Sequence, residues 1–184
     1  MRCFLALPLE MQVKNYIYNL QLDLKKSLAF NAKWVKKENL HLTVKFLGEI
    51  EKFHLSIIEE VLKPFIATIP KLQFQTGNLG VFPNYKNPRI IWLGLEGKTE
   101  ALLNLYNKCD EISKALGLPE SNTLFQPHIT LARIKNIKYF DYNFSQINDN
   151  DSQEIVFDKL VLYESILTPR GPIYTELQKF PFNC

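Results

Sequence analysis

LHLTVKFLG, residues 40–48, decides how the rest of the chain is read: Leu40, Leu42, Val44 and Phe46 alternate with His41, Thr43 and Lys45, the two-residue period of a half-buried β-strand. FQPHITLAR, residues 125–133, repeats its core as His128-Ile129-Thr130. Side chains two apart along a strand share a face, so each copy sets an imidazole beside a hydroxyl while Leu42 or Ile129 turns the other way. The chain has three histidines, and two lie in this setting. The pattern predicts chemistry on one face of each strand and core on the other.

Outward from these strands, Arg2 to Leu7 reads as a first strand ended by Pro8, and Glu10 to Phe30 carries helically spaced Val13, Ile17, Leu20, Leu24 and Leu28. Trp34-Val35 predicts a short strand. Glu51 to Ile66 predicts a second helix with Glu in its first turn and an interruption at Pro64. Leu72–Val81 and Arg89–Leu95 read as strands joined by the Pro/Asn loop FPNYKNP, followed by a helix from Lys98 to Leu116 stopped by Gly117 and Pro119. The second motif strand covers Pro127 to Ile134, and Asp141 to Ser152 is polar enough for a surface loop. Gln153–Leu162 and Ile173–Phe180 read as closing strands around the turn TPRGP.

These elements give an α+β class. The motif histidines are 87 residues apart (128 minus 41), which suits two related lobes facing a cleft and not a solenoid. At 184 residues the chain is expected to form a single domain, residues 1–184, made of two intertwined lobes.

The formal charge of +3 is too mild to indicate a long duplex as partner and suits a small phosphorylated ligand or a short nucleic-acid end. Cys3, Cys109 and Cys184 are scattered, with no CxxC pair, which argues against a disulfide framework or structural zinc and for a reducing compartment. The amino terminus reads as a strand, not a signal peptide, and no apolar run approaches the roughly 20 residues of a membrane span. A soluble, cytoplasmic monomer is expected.

Histidine is the side chain whose ordinary pKa, about 6.5, lets it give or take a proton near neutrality. With His41 on one side of a phosphorus centre and His128 on the other, one imidazole could deprotonate water while the other, as imidazolium, protonates the departing oxygen. The scheme calls for no metal and no cofactor. Thr43 and Thr130 could donate to phosphoryl oxygens. Arg133 could make a bidentate phosphate contact or a surface ion pair. Strict alternation puts Arg133 opposite His128, so a site role requires a bulge or bend. Phe46 stands in the comparable region of the first motif, and alternation puts Lys45 on the His41 face as the local cation.

HLTVKFLG, FPNYKNPRIIWLG, FQPHITLAR and SILTPRGPIYTEL resemble, in that order, the landmarks of the two-histidine (2H) phosphoesterase superfamily, specifically the RNA 2′,3′-cyclic phosphodiesterases first named 2′-5′ RNA ligases. The resemblance covers essentially the whole chain. It implies a bilobal, pseudo-twofold fold, two antiparallel sheets flanked by helices around a central cleft, and metal-independent hydrolysis of RNA 2′,3′-cyclic phosphate ends to 2′-phosphomonoesters. It further implies His41 as proton donor to the leaving 3′ oxygen, His128 as the acceptor that activates water, and Thr43, Thr130 and Arg133 as phosphate ligands. Val44 stands where the family often has Leu, on the core side.

Other residues are read more plainly. His54 is a surface residue without a threonine partner. Phe82, Tyr85, Arg89 and Trp92 offer either a stacking surface for bases or, for Trp92 above all, core. Arg170 faces either the cleft or solvent. Besides hydrolysis, the same acid–base pair run in reverse would form a 2′-5′ linkage as a side activity. A catalytically silent RNA-binding module is the reading from another class, and two intact histidines weigh against it.

Overall fold

The computed structural model of the chain describes residues 1–28, 31–118, 124–135, 144 and 152–183. Its strands are β1 (Arg2–Pro8), β2 (Ala32–Trp34), β3 (His41–Glu49), β4 (Leu72–Phe82), β5 (Ile90–Glu96), β6 (His128–Ile134), β7 (Glu154–Phe157), β8 (Lys159–Thr168) and β9 (Gly171–Pro181). The helices are α1 (Met11–Ser27), α2 (Lys52–Ile66) and α3 (Glu100–Ala115), with a 3-10 turn at Lys37–Asn39. All strand pairings are antiparallel, in the order β7-β4-β5-β6-β3-β1-β8-β9, with β2 also on β6.

The class is α+β, as the sequence predicts. Its two expected sheets meet edge to edge: β1, β3, β8 and β9 form one half, β2, β4, β5, β6 and β7 the other, and β3 pairs with β6 at Leu42↔Ile129. The halves are interleaved along the chain. Gln153–Leu162, read as one strand, is divided at Asp158: β7 pairs with β4 in the second half, whereas β8 pairs with β1 in the first. Beyond Leu162 the chain stays in β8 to Thr168 and returns from Gly171, so TPRGP tips a long hairpin.

The helices cross over. α1 follows β1 of the first half, yet its buried Gln21 bonds the Leu131 carbonyl on β6 of the second. α3 follows β5 of the second half and packs on β3 of the first. Buried Val13, Ile17, Leu20 and Leu24 on α1, and Leu102, Leu105, Cys109 and Ile112 on α3, recur three or four residues apart, so one stripe of each meets the sheet. Each such Val, Leu or Ile side chain stabilises the fold by about 1.5–3 kcal/mol through burial.

Smaller expectations shift. The short strand is Ala32–Trp34 instead of Trp34-Val35, and α2 continues through Pro64 to Ile66. Glu51 lies outside α2 as its N-cap, and the first turn holds no acidic residue. His54 has a structural task there: its Nδ1 accepts the Glu51 N–H at 3.1 Å, closing a capping box. Gly117, at φ 66°, follows α3 where an L side chain would be strained. Most of the polar segment 141–152, as well as Pro119 and Cys184, lies outside the described residues. No described helix is long and apolar enough to cross a membrane.

Candidate active site

Leu42 and Ile129 are both fully buried, while His41, Thr43, His128 and Thr130 are partly exposed. Because Leu42 pairs with Ile129 antiparallel, the register on either side sets His41 across from Thr130 and Thr43 across from His128. The four polar side chains therefore share one face at the junction of the halves. Each imidazole lies diagonal to the other.

Both rings are fixed in the same way. His41 Nδ1 lies 2.7 Å from the Asn39 carbonyl, and His128 Nδ1 lies 2.7 Å from the Gln126 carbonyl. A carbonyl only accepts, so each Nδ1 carries the proton and each Nε2 is left as the atom that can exchange one. His41 Nε2 is 3.0 Å from Thr43 Oγ1, so in the neutral ring the hydroxyl donates to it.

Each motif strand then carries a bulge. Along β1, Ala6 pairs with Thr43 but Leu5 with Lys45, so Val44 is an extra residue; along β5, Trp92 pairs with Thr130 but Ile91 with Ala132, so Leu131 is extra. The two strands show the same burial sequence from His41 to Leu47 and from His128 to Ile134, with two consecutive buried residues at each bulge. The slip returns the next residue to the histidine face, and β6 thus carries the irregularity that Arg133 requires. Arg133 is exposed, and its charge opposes protonation of both His41 and His128.

On β3 the same slip corrects the placement of Lys45. Lys45 is buried and turned away from His41, where its ammonium pairs with Asp110 of α3. Strict alternation fails because the bulge at Val44 shifts the phase by one residue. Phe46 takes the position equivalent to Arg133, 60% exposed, with its ring centroid 6.0 Å from that of Phe4, which is itself 5.0 Å from His41.

The electrostatics of the site favour neutral imidazoles. Burial pushes the His41 pKa down to about 4, the Asn39 carbonyl opposes this, and the charges of Lys14, His128 and Arg133 add to the depression. Burial also lowers His128, with Arg133 adding to it and the Gln126 carbonyl opposing. An anion between the rings offsets the cationic contribution and favours the imidazolium against the cost of burial. Burial pushes the Cys3 and Cys109 thiols up to about 11 and about 12, so neither is a nucleophile near neutrality. Among the described residues no three His, Cys, Asp or Glu side chains converge as a metal site.

Aromatic rings line both sides. Tyr174 meets His41 edge-on at 5.4 Å, and Tyr163 stacks on Phe4 at 5.3 Å. Phe82 and Trp92 stack on one another at 5.1 Å, with Phe82 edge-on to His128 at 4.9 Å. Gly80 makes room for the indole, since a Cβ there would lie 2.3 Å from the Trp92 ring. Tyr85, Arg89 and Arg170 are exposed, the first two in the β4–β5 loop and the last at the β8–β9 tip. Phe4, Tyr163 and Tyr174 carry no local signal in the sequence, because nothing nearby shows that the β8–β9 hairpin returns beside β1.

A model of the LigT-like phosphoesterases matches the chain twice, over residues 7–92 and 93–174, one match for each histidine motif. The chain belongs to the LigT-like phosphoesterase family. It is 35% identical over 185 residues to an RNA 2′,3′-cyclic phosphodiesterase of Thermotoga maritima, covering 100% of this chain and 96% of that one. A phosphodiesterase of the same name from Methanocaldococcus jannaschii is 33% identical over 183 residues, covering 98% and 100%. Among solved structures, TT0787 of Thermus thermophilus superposes with a TM-score of 0.83 at 26% identity, covering 99% and 98% of the two chains. The phosphoesterase fold expected from the sequence is thereby shown.

Proposed function

We propose that this LigT-like protein hydrolyses RNA 2′,3′-cyclic phosphate ends to 2′-phosphomonoesters, with His41 and His128 as the acid–base pair. The observation that carries the reading is the pairing of Leu42 with Ile129, from which two Nδ1-anchored imidazoles and two threonine hydroxyls share one face. In the proposed step His128 Nε2 takes a proton from water as its oxygen bonds to phosphorus. The bond from phosphorus to O3′ breaks, and His41 Nε2–H protonates O3′. The product is a 2′-phosphomonoester with a free 3′ hydroxyl, and solvent resets the two rings.

Burial and the nearby cations hold His41 neutral, and the anionic substrate raises it toward its donor form. Thr43 gives up its bond to His41 Nε2 and, with Thr130 and Arg133, donates to the phosphoryl oxygens as negative charge grows on them. Each proton transfer is worth about 10²–10⁴-fold in rate. Ligation uses the same pair with a hydroxyl in place of water, and the stacked Phe82 and Trp92 beside His128 provide a surface for the second nucleoside.

The reading is tested by incubating an oligoribonucleotide with a 2′,3′-cyclic end in EDTA and following the phosphate by ³¹P NMR. A 2′-phosphomonoester is expected. A 3′-phosphate product, or no turnover by folded protein, would overturn it.

A further inference from the structure

A pocket of about 490 Å³ opens beside His41, on the side that holds Tyr163 and Tyr174, and its lining contains neither His128 nor Arg133. Its volume falls in the roughly 300–1,000 Å³ range of small-molecule sites. Four charged residues line it: Lys14, Lys36, Glu38 and Glu176. Three of them are matched locally. Glu176 pairs with Lys179 at 2.7 Å, and Lys36 approaches Glu38 at 4.0 Å.

Lys14 is different. Its ammonium, on the half-buried first turn of α1, donates to the Glu38 carbonyl at 3.0 Å, and among the described residues it has no carboxylate partner within ion-pair distance. Burial lowers its pKa, with Glu38 and Glu176 opposing at longer range. A partly desolvated cation capped by a carbonyl is well placed to gain from a strong anion.

We propose that this pocket holds the nucleoside bearing the cyclic phosphate, its base against Tyr163 and Tyr174, and that Lys14 binds the 5′ phosphate of that same nucleoside. The inference rests on the phosphodiesterase reading with His41 as donor to O3′, because that role puts the ribose on the His41 side of phosphorus. Base stacking on aromatic rings is sequence-tolerant and worth about 1–3 kcal/mol per base, so the 5′ phosphate, present in every oligonucleotide and absent from a bare cyclic nucleoside, becomes the discriminating contact. Lys36 stands on the pocket wall as a second, solvated cation.

The test compares kcat/KM for three substrates: a nucleoside 2′,3′-cyclic phosphate, its 5′-phosphorylated form, and a dinucleotide ending in the same cyclic nucleotide. Both phosphorylated substrates are expected to exceed the bare nucleoside by about tenfold, the equivalent of 1.4 kcal/mol. Lys14→Met, which keeps the aliphatic stem, is expected to reduce that advantage to less than about threefold. Raising the salt concentration should erode the wild-type advantage, a readout that needs no variant. Equal kcat/KM for the three substrates, an advantage untouched by Lys14→Met, or a gain confined to the dinucleotide would overturn the proposal. Turnover of none of the three would overturn the phosphodiesterase reading itself.

Discussion

Leu42 of β3 and Ile129 of β6 are antiparallel register partners, both fully buried, and they join the two halves of the sheet at the centre of the two histidine motifs. The same contact holds the halves together and sets the relation between the imidazoles. Leu42→Ala is expected to cost about 2–5 kcal/mol of stability by opening a cavity at this seam. Urea unfolding monitored by far-UV circular dichroism checks the figure, and the loss of activity should exceed that of an equally destabilising change on α2, such as Leu62→Ala.

Gln21 of α1 is fully buried and donates through Nε2 to the carbonyls of Val35, at 3.0 Å, and of Leu131, at 2.9 Å. Leu131 is the extra residue of the β6 bulge, so the amide clamps the irregularity that turns Arg133 to the histidine face. Gln21→Leu leaves two buried carbonyls with one fewer donor each and should destabilise the protein by about 1–3 kcal/mol. With Arg133 less firmly placed, KM for a cyclic-phosphate substrate should rise by a larger factor than kcat falls. Steady-state kinetics on folded variant decides this.

Lys45 is 3% exposed and pairs with Asp110, whose carboxyl is held below the usual carboxylate range by hydrogen bonds from Lys45 and Lys114. Asp110→Asn strands the buried ammonium and should cost roughly 3 kcal/mol or more. Lys45→Met should cost less, because Asp110 retains Lys114 at 3.0 Å. Urea unfolding ranks the two. Since Lys45 points away from His41, folded Lys45→Met should hydrolyse a cyclic-phosphate substrate at close to the wild-type rate.

His41 has its pKa pushed down to about 4, chiefly by burial, while an unfolded histidine titrates near 6.5. Between these values the unfolded chain takes up a proton that the folded site refuses, so stability present above pH 6.5 is lost as the pH falls toward 4. Thermal unfolding from pH 7 to pH 4 should show a decline that is shallower in His41→Asn. Added phosphate should raise the His41 titration, followed by NMR of the ring Cε1–H, because an anion between the rings stabilises the imidazolium.

Much of this was legible in the alternation of two short strands. Leu42 and Ile129 face inward as their spacing requires, and the apolar stripes of α1 and α3 lie within a few residues of their predicted spans. Lys45 was misplaced because a single-residue bulge reverses every later side chain, and nothing in Thr-Val-Lys marks one. The break at Asp158 was hidden for a related reason: β7 and β8 are both apolar strands, and only their long-range partners, β4 and β1, assign them to different halves. Tyr163 and Tyr174 reach His41 through a hairpin more than a hundred residues distant in sequence, beyond any local pattern.

The proposed reaction requires His41 and His128 to act as one acid–base pair. It is tested most directly by single-turnover rates of cyclic-phosphate opening by the wild type, His41→Ala and His128→Ala, each shown to be folded. Each substitution is expected to slow opening by about 10²–10⁴-fold. A variant lacking either imidazole that opens the cyclic phosphate at the wild-type rate would contradict the account.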